Sequence, residues 1–249
     1  MSDAYVKWVL DSYRVAVGPS SPAEQAAARI GPMIQQWAGS EFDGLALSGS
    51  YAKGTAVRGS ADVDLFISLR SKIALKDIYG SLFKLAEGAG WGPRRQNVSI
   101  GIALGQVKVD LVPGRVQDGY QNFHSLYKSK QDSWTQTNVA KHISMIRYSG
   151  RTEEIRALKI WRNRMKLEFP SFYLELVALE ALKWSRDGVA NNVLRIFRYI
   201  DSDFARARFV DPANTANIIS EDLNSSEKVI VIASARAALA AKNWNEILW

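Results

Sequence analysis

Apolar positions recur at two different spacings along this chain, and the spacing changes near its middle. Tyr5, Val9, Tyr13 and Val17 stand four apart, which predicts a helix. A second helix is predicted from "SPAE": Ser21 to cap, Pro22 for the first position, Glu24 to close a capping box, then Ile30, Met33, Ile34 and Trp37 along one face. Gly31-Pro32 within it predicts a kink or an interruption. The runs "FDGLALSG" and "DVDLFISL" read as strands on either side of a polar loop. Leu75, Ile78, Leu82 and Leu85 or Ala86 return to helical spacing, with Gly88 as a stop, and "NVSIGIALGQVKVDLVPG" reads as two strands joined near Gly105. Beyond Gly114 the strand signals fade, and helices are predicted in "RTEEIRALKIWRNRMKLE", "SFYLELVALEALKWSRDG" and "SSEKVIVIASARAALAAKNW". Trp8, Trp37, Trp161 and Trp184 fall on apolar helix faces or at their edges and are expected in the core. The pattern predicts an α+β chain: a mixed sheet with flanking helices over 20–118, and a helical domain over 119–249 that packs with a helix in 1–19. Without a Pro/Gly/Ser-rich linker between them, the two are expected to pack closely around a cleft.

Composition narrows the chemistry. The 249 residues are 47% hydrophobic, enough for a sizeable core. No apolar run approaches the roughly 20 residues of a membrane span, and the N-terminus has no basic region followed by a long apolar one. A soluble, cytoplasmic protein without a membrane partner is expected. There is no cysteine, which excludes disulfides and thiolate metal sites; His124 and His142 are the only imidazoles, so a zinc site would be short of ligands and any catalytic metal must sit on oxygen. A net charge of +7 favours anionic partners, with basic clusters at Arg94/Arg95, Arg147 to Lys166 and Arg195 to Arg208.

The stretch "LSGSYAKGTAVRGSADVDLFISL" concentrates the candidate chemistry. Asp62 and Asp64 alternate on a predicted strand and so point to one face, where their mutual repulsion calls for cations. Asp110, between Val109 and Leu111 on a later strand, offers a third carboxylate. Hard oxygen ligands select magnesium or manganese, and three carboxylates suit two ions engaged in phosphoryl transfer. Asp62 and Asp64 would hold both ions and the triphosphate. Asp110 would hold the ion at the attacking hydroxyl, or serve as its base. Gly49 lets backbone approach a phosphate, Ser50 offers a hydroxyl and an N–H at a predicted helix start, and Lys53, Thr55 and Arg58 add donors.

Gly49-Ser50, Asp62/Asp64 and Asp110, in that order, resemble the DNA polymerase beta nucleotidyltransferase superfamily. The helical half narrows the resemblance: "ALKIWRNRMKLEFPSFYLELVALEAL" is similar to the helical-domain signature of oligoadenylate synthetases and of the bacterial cGAS-like enzymes called CD-NTases. "RFVDPANTANIIS" and "WTQTNVAKH" resemble further CD-NTase segments, the latter with Val139 in place of proline. The resemblance implies a polymerase beta-like catalytic domain plus an oligoadenylate synthetase-like helical domain, with the active site between them. It implies that Lys159 and Ser171 contact the triphosphate and that Tyr173 stacks on a base. It further implies a metal-dependent enzyme joining NTPs, ATP among them, into a cyclic or linear oligonucleotide second messenger in antiviral defence. RNA or DNA would be a possible activator. The alternative is RNA 3′-terminal transfer of the CCA-adding type, although 249 residues leave little room for the tRNA-binding domains expected there. Nucleotidylation of a protein or small molecule is a more distant third.

Overall fold

The computed structural model describes residues 2–119 and 122–248. Its elements run α1 (Asp3–Ser12), α2 (Pro22–Ala38), β1 (Phe42–Leu47), α3 (Gly49–Lys53), β2 (Val63–Leu69), α4 (Leu75–Gly88), β3 (Arg94–Arg95), β4 (Ile100–Leu104), β5 (Val107–Val116), β6 (His124–Lys128) and β7 (Ser133–Thr137). The helices α5 (Val139–Arg147), α6 (Thr152–Arg164), α7 (Ser171–Ala181), α8 (Val189–Ser202), α9 (Ser225–Ala240) and α10 (Asn245–Leu248) follow. The chain divides into a sheet unit, 16–54 with 61–143, and a helical unit, 1–15 with 55–60 and 144–249. The position near 118 expected for a boundary lies between β5 and β6, which pair with each other.

In the sheet unit the strands lie in the order β1-β2-β5-β4-β3, with β6 on β5 and β7 on β6. β2 and β5 are parallel, and the other pairs are antiparallel. The period of two decides which face each residue takes. Val63, Leu65, Ile67 and Leu69 of β2 join Val109 and Leu111 of β5 under Ile30 and Ile34 of α2 and Ile78 and Leu82 of α4. Leu65 and Ile67 are fully buried there, each contributing about 1.5–3 kcal/mol. Asp64, Phe66 and Ser68 are left on the other face, with Asp110 of β5.

The Ser21 hydroxyl caps α2 by accepting the Glu24 N–H at 3.2 Å. The interruption expected at Gly31-Pro32 does not occur. α2 runs unbroken through Pro32, because the buried Ile30 and Ile34 anchor both sides of the one backbone bond that proline cannot donate. The pair β6–β7 was not signalled by the sequence, since "HSLYK" and "SWTQT" are largely polar and lack an apolar alternation.

The helical unit is built around α7, in which Tyr173 through Ala178 are all buried, so the helix is enclosed on every side. Trp161, Phe197 and Phe204 pack around it. Burial of polar groups here follows from pairing. Asn192, fully buried, donates to Glu154 Oε1 at 2.6 Å and accepts from the Ser185 hydroxyl at 2.7 Å. The Asp3 carboxylate accepts the Ala190 N–H at 2.8 Å and so caps α8. Gly188 is needed beneath it, because a Cβ there would stand 2.0 Å from Asp3 Oδ2.

Two expectations are corrected in this unit. Trp161 is core, but Trp184 is 88% exposed and Trp8 51% exposed. α7 ends at Ala181, three residues before Trp184, which takes a left-handed backbone with φ of 67°. Several residues of the basic clusters are tethers rather than open cations: Arg151 bonds Glu154 and the Ser185 carbonyl, Arg156 the Leu10 carbonyl, and Arg195 the Ala181 carbonyl. Among the described residues no helix is long and apolar enough to cross a membrane.

Candidate active site

Asp64 and Asp110 stand opposite one another in the parallel register of β2 and β5, on the face turned away from the apolar core. Both are half-buried. Asp62 is exposed and immediately precedes β2, so it lies at the mouth of the strand rather than within it. Asp62 nevertheless acts electrostatically on Asp110. Burial, followed by the negative charge of Asp62, pushes the Asp110 carboxyl above the usual carboxylate range, against the opposing pull of the Gln96 amide and Arg94. Tyr51 is likewise pushed up, by burial and then by Asp62.

The loop that sequence analysis singled out is folded onto this group. The Ser48 N–H donates to the Asp64 carbonyl at 2.8 Å, which ties the end of β1 to β2. Gly49 follows with φ of +54°, and a Cβ there would lie 1.8 Å from Asp64 Oδ2. No side chain fits, so bare backbone is laid against the carboxylate. Ser50 is half-buried in α3, and Lys53 ends the same helix as a buried cation, followed by Gly54 in a left-handed cap.

Gln96 was missed by the sequence analysis. Its Nε2 donates to Asp110 Oδ1 at 2.9 Å, and its Oε1 accepts from the Ser99 hydroxyl at 2.7 Å. Gly101, paired with Asp110 across β4 and β5, leaves the space this bond needs. A Cβ there would lie 2.7 Å from Gln96 Nε2 and 3.2 Å from Asp110 Oδ1.

The donor set fits a hard divalent cation in its chemistry: carboxylate oxygens beside backbone with no side chain in the way. It is not a closed cage. Among the described residues no three carboxylates or imidazoles are grouped to hold an ion as they stand.

In the helical unit the candidates separate. Lys159 is 3% exposed, and its Nζ lies 2.7 Å from Glu175 Oε1 and 2.8 Å from the Thr55 hydroxyl, so it is a buried ion-pair partner. Thr55 and Arg58, offered above as phosphate donors, are engaged elsewhere: Thr55 with this pair, and Arg58 with the Ser12 carbonyl at the end of α1. Ser171 is exposed in the first turn of α7 and accepts from Arg162 Nη1 at 2.8 Å. Tyr173 is fully buried, with its ring centroid 5.3 Å from that of Phe169, 5.1 Å from Phe204 and 5.5 Å from Phe209. A ring enclosed in this way presents no face on which a base can stack. Burial also pushes its hydroxyl far above the usual tyrosine range.

No protein-family model matches the chain. In sequence it is 27% identical over 187 residues to a cyclic AMP-AMP-AMP synthase of Escherichia coli, covering 66% of this chain and 58% of that protein. It is 29% identical over 116 residues to a CCA-adding enzyme of Pyrobaculum neutrophilum, covering 43% and 28%. The chain thus spans less than two thirds of the curated relatives it matches. In structure it superposes on CdnC of Escherichia coli solved with ATP, with a TM-score of 0.79 at 19% identity over 100% of this chain and 98% of that one. The mixed sheet with flanking helices is a polymerase beta-like fold. In sequence the chain resembles the cyclic AMP-AMP-AMP synthase, and in fold the CD-NTases.

Proposed function

We infer that this chain is a metal-dependent nucleotidyltransferase that joins NTPs into a cyclic or linear oligonucleotide signal. The observation that carries this is the contact of Gly49 backbone with the Asp64 carboxylate, beside Asp110 in register. That arrangement suits a triphosphate held against metal-binding oxygens. Asp62, Asp64 and Asp110 are the residues to hold magnesium or manganese, two ions in our reading, with Asp62 turning in from its exposed position. Bound there, the ions neutralise the triphosphate and lower the pKa of the attacking hydroxyl.

The chain's own groups do the remainder. Gly49 and Ser50 bind the phosphates, with Lys53 as supporting charge. Asp110, held by Gln96, receives the proton of the attacking ribose hydroxyl. That oxygen bonds to the α-phosphorus as the bond to the β-phosphate oxygen breaks, and pyrophosphate leaves. Of the helical unit, Ser171 is the residue proposed to meet the nucleotide, while Lys159 braces the unit from within. The name of the synthase relative and the ATP in the CdnC structure support an adenine nucleotide as a substrate.

The shorter match to a CCA-adding enzyme favours a second reading, in which the acceptor is an RNA 3′ end. The proposal is tested by Asp62→Asn/Asp64→Asn. Product formation should vanish with an unchanged circular-dichroism spectrum, and retained activity removes the metal assignment.

A further inference from the structure

The sheet unit carries a second concave region that the proposed activity leaves unused. A groove of about 730 Å³ opens along α4, beside the β3–β4 connection and the β6–β7 hairpin. Lys76, Lys84, Arg95 and Lys130 line it, with Tyr127 on its wall and Gln96 also facing it. Two carboxylates oppose these four cations: Asp77, also in the lining, and Asp132, which pairs with Lys76 at 3.1 Å. Lys84 and Lys130 are exposed, and among the described residues neither forms a salt bridge. The Arg95 guanidinium lies 4.2 Å from the centroid of the Phe83 ring. Cations in excess, aromatic surface and a volume within the range of small-molecule sites together suit a phosphate-bearing nucleotide.

Gln96 links this groove to the carboxylates. Its carbonyl accepts from the Tyr79 hydroxyl at 2.8 Å and from the Ser129 hydroxyl at 2.7 Å, which pins the β3–β4 connection to α4 and to the end of β6. Its side chain holds Asp110. One residue therefore lines the groove and positions the carboxylate proposed as the base.

We propose that the groove is a nucleotide-binding site separate from the substrate's, and that its occupancy is transmitted to Asp110 through Gln96. The binding stands independently of the activity, whereas the transmitted effect rests on the nucleotidyl-transfer reading. Cations at the rim attract the phosphates, and a ligand against Gln96 shifts the amide that holds Asp110 in place.

The test is calorimetric titration of the full chain with the linear dinucleotide pApA. The Asp62→Asn/Asp64→Asn variant, altered at the carboxylates, is expected to retain one site. Lys84→Glu/Lys130→Glu should weaken that site by about tenfold or more with an unchanged spectrum. Equal affinity in both variants, or no binding, overturns the proposal. Tight binding of a long single-stranded RNA with none of pApA also overturns it, and marks a nucleic-acid surface instead. For the transmitted effect, pApA should change the rate of NTP turnover in the unaltered chain. Lys84→Glu/Lys130→Glu should keep the basal rate and lose that change. An unaltered rate overturns the transmission alone, and a chain that turns over no NTP overturns the activity, leaving the groove to be decided by the titration.

Discussion

Lys159 is where the resemblance and the structure pull in different directions, and Lys159→Met separates them. A triphosphate ligand should be dispensable for folding, whereas a buried ion-pair partner should not. Lys159 and Glu175 are 3% and 1% exposed, with 2.7 Å between Nζ and Oε1. At an effective dielectric of 20, that separation corresponds to a gross attraction of about 6 kcal/mol. Desolvation of both ions offsets most of it, so replacing the whole pair by apolar side chains is close to neutral. Removing only the lysine takes from the buried Glu175 the cation at 2.7 Å, which the Thr55 hydroxyl at 3.3 Å does not replace, and costs about 3–5 kcal/mol. Against a total of roughly 5–15 kcal/mol, that is a large fraction. In urea, followed by far-UV circular dichroism, the midpoint should fall by roughly 2 M for a slope of about 2 kcal/mol/M. Lys159→Met/Glu175→Leu should recover most of the loss. A Lys159→Met protein within about 1 kcal/mol of the parent that no longer binds ATP would falsify this account and restore Lys159 as a ligand.

Other outcomes follow from the same geometry. Gly49→Ala must push its Cβ against Asp64 Oδ2 in a backbone already at φ of +54°, so turnover should drop by about a hundredfold or more while the sheet unit loses only about 1–3 kcal/mol. Full activity in that variant would mean that the loop does not meet the carboxylate. Gly101→Ala should expel Gln96 from Asp110 and lower kcat more than it raises KM, with little change in Tm, and an unchanged kcat would dismiss Gln96 as a positioning residue. In the metal-free protein Asp62→Asn removes one of the two causes that raise Asp110, so its carboxyl, followed by NMR titration, should titrate lower than in the parent. The sign carries over to stability. A carboxyl raised in the folded state stabilises most in acid and loses that contribution as pH rises through its folded value. The variant should therefore gain on the parent above the carboxylate range and not below it, and a gain confined to acid would contradict the assignment.

The candidate site was legible in the sequence where local periodicity governs. Asp64 and Asp110 sit between apolar neighbours that must face the core, so their own face is dictated. Gln96 was not legible, because it reaches Asp110 from the connection between two edge strands, and no spacing along the chain encodes that approach. Nor does spacing reveal that Lys159 meets Thr55, 104 residues away. Tyr173 looked like a ligand by position within a motif, but α7 is enclosed on all sides, and a helix of that kind is core. Polar composition hid β6 and β7, which are held by pairing to β5 and to each other rather than by an apolar stripe.

The most direct test of the central claim is incubation of the purified chain with the four α-labelled NTPs and magnesium or manganese, with and without added tRNA, followed by phosphatase treatment and chromatography. The account predicts small phosphatase-resistant products formed without RNA and absent in Asp62→Asn/Asp64→Asn. Label that appears only on the tRNA, or products that persist in that variant, would contradict it.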